Sequence, residues 1–205
     1  MLIGYYAVVA VTTSEPGISA IPRTRSDNLC LDFVNSRFSD HRGNGAAYDR
    51  LPMPEWWSWL LDRWGLERYA PPDASAIGEL AHLRDLVRRA LESHLPLSRR
   101  ARDAFDAVLR RAPMTWTTGL PEGRPHLVPH SSTTGADYVG AAVIVSLAET
   151  LAIRPGRVRR CGNPDCSFLF QDQSRNGSRR WCDAGLCGNL MKVRSFRAAR
   201  TTEMN

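Results

Sequence analysis

Four cysteines near the C-terminal end constrain this chain more than any other feature: Cys161-x4-Cys166-x15-Cys182-x4-Cys187. Two close pairs separated by a short span can surround one tetrahedral ion, and four thiolates form a structural zinc set. Each pair needs a sharp backbone bend to aim both sulfurs at one point. Gly162, Asn163, Pro164 and Asp165 are turn formers inside the first pair, and Gly185 lies inside the second. No histidine or carboxylate stands at matching spacing, so the set is closed and leaves no coordination position for a catalytic water. The cofactor expected is one structural Zn2+. Two disulfides are the competing reading in an oxidising compartment, and redox switching of zinc-bound thiolates is a third. Cys30, flanked by leucines far upstream, reads as a small buried hydrophobe.

Between the two pairs, Ser167–Gln171 has strand character, and Asn176-Gly177 is a hairpin signal. Helical patterning follows from Gly188 to Arg200. The order of knuckle, hairpin and helix, with the last ligand at the helix N-terminus, is treble-clef-like. So short a piece, with few apolar residues, needs a staple to fold. Structural zinc supplies about 10–16 kcal/mol of apparent binding energy.

The charge is concentrated in the same segment. Residues 154–205 carry eleven Lys+Arg against Asp165, Asp172, Asp183 and Glu203, while the other 153 residues carry 16 basic and 17 acidic side chains. The whole net charge of +6 therefore lies in the tail, as a polyanion binder requires. On the last helix Leu190, Arg194 and Arg197 fall at i, i+4 and i+7, with Val193 beside them and Arg200 continuing the edge. Candidate nucleic-acid contacts are Arg175, Arg179, Arg180, Lys192, Arg194 and Arg197, since arginine grips phosphate and reads guanine bidentately. The plain alternative is a solvated charged face. DNA is the expected partner, and a homodimer is the default for a regulator that reads paired half-sites.

Upstream, residues 1–26 read as a flexible lead, 27–153 as a helical domain and 154–205 as the basic cysteine module. The apolar start, Met1 to Val11, lacks the positive flank and cleavage site of a signal peptide. No later stretch approaches the apolar length of a spanning helix, so no membrane is expected and the location is read as cytoplasmic, associated with the nucleoid. Leu29–Phe38 begins an apolar-periodic helical segment with Asp27 or Asn28 as N-cap. Residues 39–50 read as a polar loop. Pro54 opens a helix that carries Trp56, Trp57, Trp59 and Trp64 and stops at Gly65; the tryptophans fill a core or line an aromatic ligand pocket. Residues 75–95 form an amphipathic helix with Arg84, Asp85, Arg88 and Arg89 towards water. Ser98 caps another, stopped by Pro113. Met114–Thr118 and His126–Val128 flank a hairpin turn, and Asp137–Ile153 is apolar nearly all round, as a central helix is.

The fold class expected is mainly α with a small β-hairpin: a helical N-terminal domain plus a treble-clef-like four-cysteine zinc module. Asp32 and Asn35 are candidate ligand contacts, with helix-end hydrogen bonding as the alternative. The five histidines lack metal spacing, and no nucleophile elbow, P-loop or dinucleotide fingerprint is present, so no enzyme is expected.

The run C-G-N-P-D-C-x-x-L-F-x-D-x-S-R-N-x-S-R-R-W-C-x-x-x-x-C-G-N, from Cys161 to Asn189, resembles the CGNR-type zinc finger. That module stands behind an ABATE-type N-terminal domain in bacterial stress-induced transcription regulators. Leu29-Cys-Leu-Asp-Phe-Val-Asn-Ser36 is similar to that domain's N-terminal signature. The resemblance implies Cys161, Cys166, Cys182 and Cys187 as zinc ligands, a DNA-binding regulatory role, and sensing of a small-molecule effector or subunit assembly by the N-terminal domain. One departure stands out: the family's fourth motif letter is Arg, and this chain has Leu190. The alternative function is a zinc-stabilised module that binds protein or RNA without reading DNA sequence.

Overall fold

The computed structural model describes residues 26–66, 71–93, 96–119, 126–153 and 156–203. The expectations for the lead and the apolar start lie outside these, apart from Ser26. Among the described residues six α-helices carry the fold: α1 (Leu29–Val34), α2 (Pro54–Arg63), α3 (Ala74–Ser93), α4 (Arg99–Arg111), α5 (Gly135–Ile153) and α6 (Asn189–Glu203). Three antiparallel strand pairs punctuate them: β1 (Arg37–Ser39) with β2 (Ala47–Asp49), β3 (Thr115–Gly119) with β4 (His126–His130), and β5 (Val158–Arg160) with β6 (Leu169–Gln171). The mainly helical class is borne out, and so is the hairpin around residues 119–126, whose register pairs Thr115 with His130 and Gly119 with His126.

The core forms where apolar stripes meet. α5 packs against α1, α3 and α4 and buries Tyr138, Val139, Val143, Ile144 and Leu147. Gly140 makes this approach close, because a Cβ there would lie 3.0 Å from Val108 Cγ1 and 3.3 Å from Leu83 Cδ2. By length and composition alone α5 is also long and apolar enough to cross a membrane, which corrects the expectation that no stretch is apolar enough. Its composition is accounted for by its neighbours, since a helix surrounded by others needs few polar residues. α2 starts with Pro54 in its first turn and sinks Trp56, Trp57, Leu60 and Leu61 into the same core. The Trp56 and Trp57 rings meet edge to face at 4.7 Å, and Trp57 Nε1 donates to the Leu51 carbonyl at 2.7 Å. Trp59 and Trp64 pack against the core from its margin. Ser98 caps α4 as expected, accepting from Ala101 N at 3.2 Å. Cys30 is buried beside Thr150, with Sγ 3.3 Å from Oγ1, and burial pushes its thiol up to about 11.

Two expectations are corrected. Residues 39–50 are not simply loop: β1 and β2 pair there, Phe38 opposite Tyr48, with their rings 5.3 Å apart. The strands are three residues long, too short for alternation to show. Arg84 and Arg88, expected to face water from α3, turn inward. Arg84 is buried and holds Asp49 bidentately at 2.6 and 2.7 Å, with Ser36 Oγ at 2.9 Å. Desolvation works to raise the Asp49 carboxyl, but Arg84, the Leu51 N–H and Arg37 together hold the group below the usual carboxylate range. Arg88 donates to the Ser167 carbonyl, beyond the end of its own domain.

The contact made by Arg88 belongs to a continuous seam between the helical part and the cysteine segment. Asn35, at the C-terminal end of α1, is buried and acts as a peptide surrogate. Its Nδ2 donates to the Leu169 carbonyl at 2.8 Å, and its Oδ1 accepts from Leu169 N at 2.9 Å. Leu169 pairs with Arg160 of β5 on its other side, so the carboxamide occupies the free edge of β6 as a third strand would. Asn28, at the N-cap position of α1, reaches Gln171 Oε1 at 3.0 Å instead of capping its own helix. Ser39 N donates to Ser167 Oγ at 2.9 Å, and the Phe38 and Phe168 rings lie 5.7 Å apart. Val158 and Leu169 belong to the main hydrophobic core.

Truncating Asn35 strands a buried N–H and a buried carbonyl together. Asn35→Ala is expected to lower stability by about 2–4 kcal/mol in urea denaturation of the metal-loaded chain.

Candidate metal centre and the surface it supports

β5 and β6 enclose the first knuckle. Cys161 N donates to the Phe168 carbonyl at 2.9 Å, which extends the ladder one step, and the chain then turns so tightly that Cys166 N reaches Asn163 O at 3.0 Å. Asn163 is buried and holds the turn from both sides: Oδ1 accepts from Asp165 N at 3.2 Å, and Nδ2 donates to the His41 carbonyl at 2.8 Å. The second pair spans a π-helical turn, Ala184–Gly188, immediately before α6. Asp183 caps that turn, accepting from Leu186 N at 2.8 Å.

The hairpin expected at Asn176-Gly177 does not form; β6 pairs backward with β5 instead. The physical reason is Asp172. Its buried carboxylate gathers Ser174 N at 2.9 Å, Ser174 Oγ at 2.6 Å and Arg179 N at 3.1 Å, and so closes residues 172–179 into a loop. The Ser174 hydroxyl bond holds that carboxyl below its usual range. The treble-clef-like order is therefore modified: the knuckle is the tip of a hairpin, and a carboxylate-centred loop leads to the second pair.

All four cysteines are buried and free of disulfides, and their sulfurs lie within 4.8 Å of one another. Cys166 Sγ is 3.8 Å from Cys182 Sγ, which is 3.7 Å from Cys187 Sγ. A tetrahedron with metal–sulfur bonds of about 2.3 Å has edges of about 3.8 Å. The donor set thus fits one tetrahedral ion and excludes S–S bonds, which are near 2.05 Å. Donors already face the sulfurs: Cys182 N lies 3.5 Å from Cys161 Sγ, and Asn163 Nδ2 lies 3.6 Å from Cys187 Sγ. Among the thiols alone protons divide unequally. Hydrogen bonding from Cys166 depresses Cys161, while hydrogen bonding to Cys161 raises Cys182. A divalent cation removes that conflict by stabilising every thiolate at once.

Phe168, Phe170 and Trp181 pack around the cluster. The tripeptide Cys-Gly-Asn occurs twice, at Cys161 and at Cys187, and Trp181 accounts for both glycines. A Cβ on Gly162 would lie 3.1 Å from Trp181 Cζ3, and one on Gly188 would lie 3.0 Å from Trp181 Cδ1. Each glycine after a ligand lets its backbone meet one end of the same indole.

Against this frame the candidate arginines separate. Arg179 turns inward: Nε donates to the Trp181 carbonyl at 2.9 Å, Nη2 to the Cys182 carbonyl, and the guanidinium lies 4.7 Å from the Phe170 ring centroid. Arg194 also turns inward, holding Asp165 Oδ2 at 2.6 Å and the Arg42 carbonyl at 2.7 Å. Gly43 makes room for that tie with φ +84, since a Cβ there would lie 2.6 Å from Asp165 Oδ2. Arg175 and Arg180 are exposed, the latter with its guanidinium 5.1 Å from the Trp181 centroid. Lys192 and Arg197 are exposed on α6. Leu190 is half-buried at the start of that helix. Asp32 and Asn35 are committed to protein partners: Asp32 accepts from Ser26 N at 3.0 Å, Arg63 Nε at 2.9 Å and Trp64 Nε1 at 3.0 Å.

Residues 27–153 match the ABATE family model, described as "Putative stress-induced transcription regulator", over well more than half the chain. The chain belongs to the ABATE family. Residues 157–200 match the CGNR zinc finger, with all four cysteines inside the match. No curated protein matches the chain. In this ABATE-family chain the angular pattern of the last helix placed Arg200 at the edge of the basic face and gave no sign of Phe196. Phe196 and Arg200 lie on the exposed side, and only the inward tie of Arg194, invisible to periodicity, shows which side that is.

One metal ion per folded chain is expected by native mass spectrometry. Cys182→Ser should abolish it, and lowering the pH towards about 5 should release it, because protons compete for thiolate ligands.

Proposed function

We propose that this protein is a DNA-binding transcription regulator in which a structural zinc ion holds α6 out from the body as the element that meets duplex DNA. The observation that carries the reading is the exposure of that helix. From Lys192 to Thr201 every residue is exposed except Arg194, which is tied to Asp165 and the Arg42 carbonyl. Lys192, Arg197 and Arg200 stand free of the body on a helix whose root lies at the cysteine cluster, with Arg175 and Arg180 exposed on the preceding loop. A helix of this kind is what the major groove admits. The proposed metal is zinc, on the all-thiolate donor set and the zinc-finger match, and its role is to hold shape, not to catalyse. The reading places the protein in the cytoplasm at the nucleoid, gives the helical domain the task of sensing an effector or assembling subunits, and includes no enzymatic step.

Titration of zinc-loaded protein into fluorescent duplex DNA at rising salt tests this. The expected slope of log K against log salt is about −3.6 to −4.5, for four or five phosphates neutralised. Arg197→Ala should reduce its magnitude by about 0.9, and Arg194→Ala should leave it unchanged. Absence of binding to any duplex at low salt rejects the proposal. Exposure of Val193 and Phe196 favours a second reading, an interaction module for RNA or protein. Tighter binding to single-stranded RNA than to duplex DNA of equal length would favour it.

A further inference from the structure

The proposed DNA-facing side of α6 is not uniformly charged. At about 100° per residue, Lys192, Phe196, Arg200, Val193 and Arg197 follow one another across an arc of about 140°. Phe196 lies between the cations and is 63 % exposed, and Val193 beside it is 38 % exposed. The Arg200 guanidinium stands over the Phe196 ring, 5.8 Å from its centroid, and the side chain remains largely exposed. A large apolar side chain set inside a basic face matches an occupant that is anionic at its edges and apolar at its centre.

We infer that Phe196 is a sequence-reading residue that selects thymine, by packing its ring on the 5-methyl group in the major groove while Lys192, Arg197 and Arg200 hold phosphates on either side. The inference rests on the DNA-binding reading above. The thymine methyl is the one apolar feature that the major groove displays, and phenylalanine is among the side chains that contact it. An A-form RNA duplex is a poor alternative, because its major groove is too narrow for a helix and its uracil lacks the methyl. A wedge between base steps would use the same ring but would not depend on the methyl group.

The test uses the full-length zinc-loaded chain and duplexes recovered by selection from a randomised 20-base-pair pool. Each recovered duplex is remade with deoxyuridine in place of thymidine, which deletes only the methyl. The wild type is expected to lose about fourfold in affinity for each thymine contacted. Phe196→Ala is expected to bind both duplexes equally, at the wild-type level for the deoxyuridine duplex, with the salt slope unchanged. Phe196→Leu should retain part of the preference. An absent methyl preference in the wild type, or one that persists in Phe196→Ala, overturns the inference while DNA binding stands. Failure to recover any duplex overturns the DNA-binding reading and this inference with it. Because Phe196 is largely exposed, its substitution leaves the fold and the metal content intact, and native mass spectrometry verifies this.

Discussion

Four sulfur atoms packed within 4.8 Å and shut away from water cannot all be thiolates without a cation among them. That constraint organises the C-terminal quarter of the molecule. It fixes the knuckle at the tip of one strand pair, the π-helical turn ahead of α6 and, between them, the indole of Trp181 against two glycines. The apolar residues of this segment are too few to set those distances themselves. The chemistry of the donor set therefore decides geometry that elsewhere in the chain is decided by side-chain packing.

The four-cysteine cluster sets the local shape, and the seam sets its direction. Asn163, Asp165 and Arg194 link the knuckle and the last helix to the β1–β2 turn, while Asn35, Asn28 and Arg88 hold β6 and its approach. These ties are polar groups reaching backbone, carboxamide or carboxylate partners, so they specify orientation more sharply than apolar contact does. The helix that leaves the cluster thus points in a direction dictated by the helical domain, and only its far side is free to meet another molecule.

Much of this was readable in advance, for identifiable reasons. Cysteine spacing survives translation into space because turns of four residues allow few geometries. The long helices announced themselves through Pro54, Ser98 and their apolar stripes, and the β3–β4 hairpin through its turn composition. What escaped was whatever depends on a partner distant in sequence. The β1–β2 pair is too short to show alternation. Arg84, Arg88 and Arg194 carry the side chain of a surface residue and find acceptors on other elements of the fold instead. Asn176-Gly177 has the composition of a hairpin turn, and Asp172 outcompetes it by gathering three donors. Asn35 lies in a motif-like run, but its partner is 134 residues away.

The boundary between the two matched segments, at residues 153 and 157, falls where sequence similarity changes character and not where the molecule comes apart. Val158 and Leu169 are planted in the helical domain's own interior. Chain cleavage at that border would expose raw apolar surface on both pieces, so neither would behave as a transplantable unit. An evolutionary swap of the finger would have to carry along residues 28, 35, 38 and 88 to keep the graft sealed.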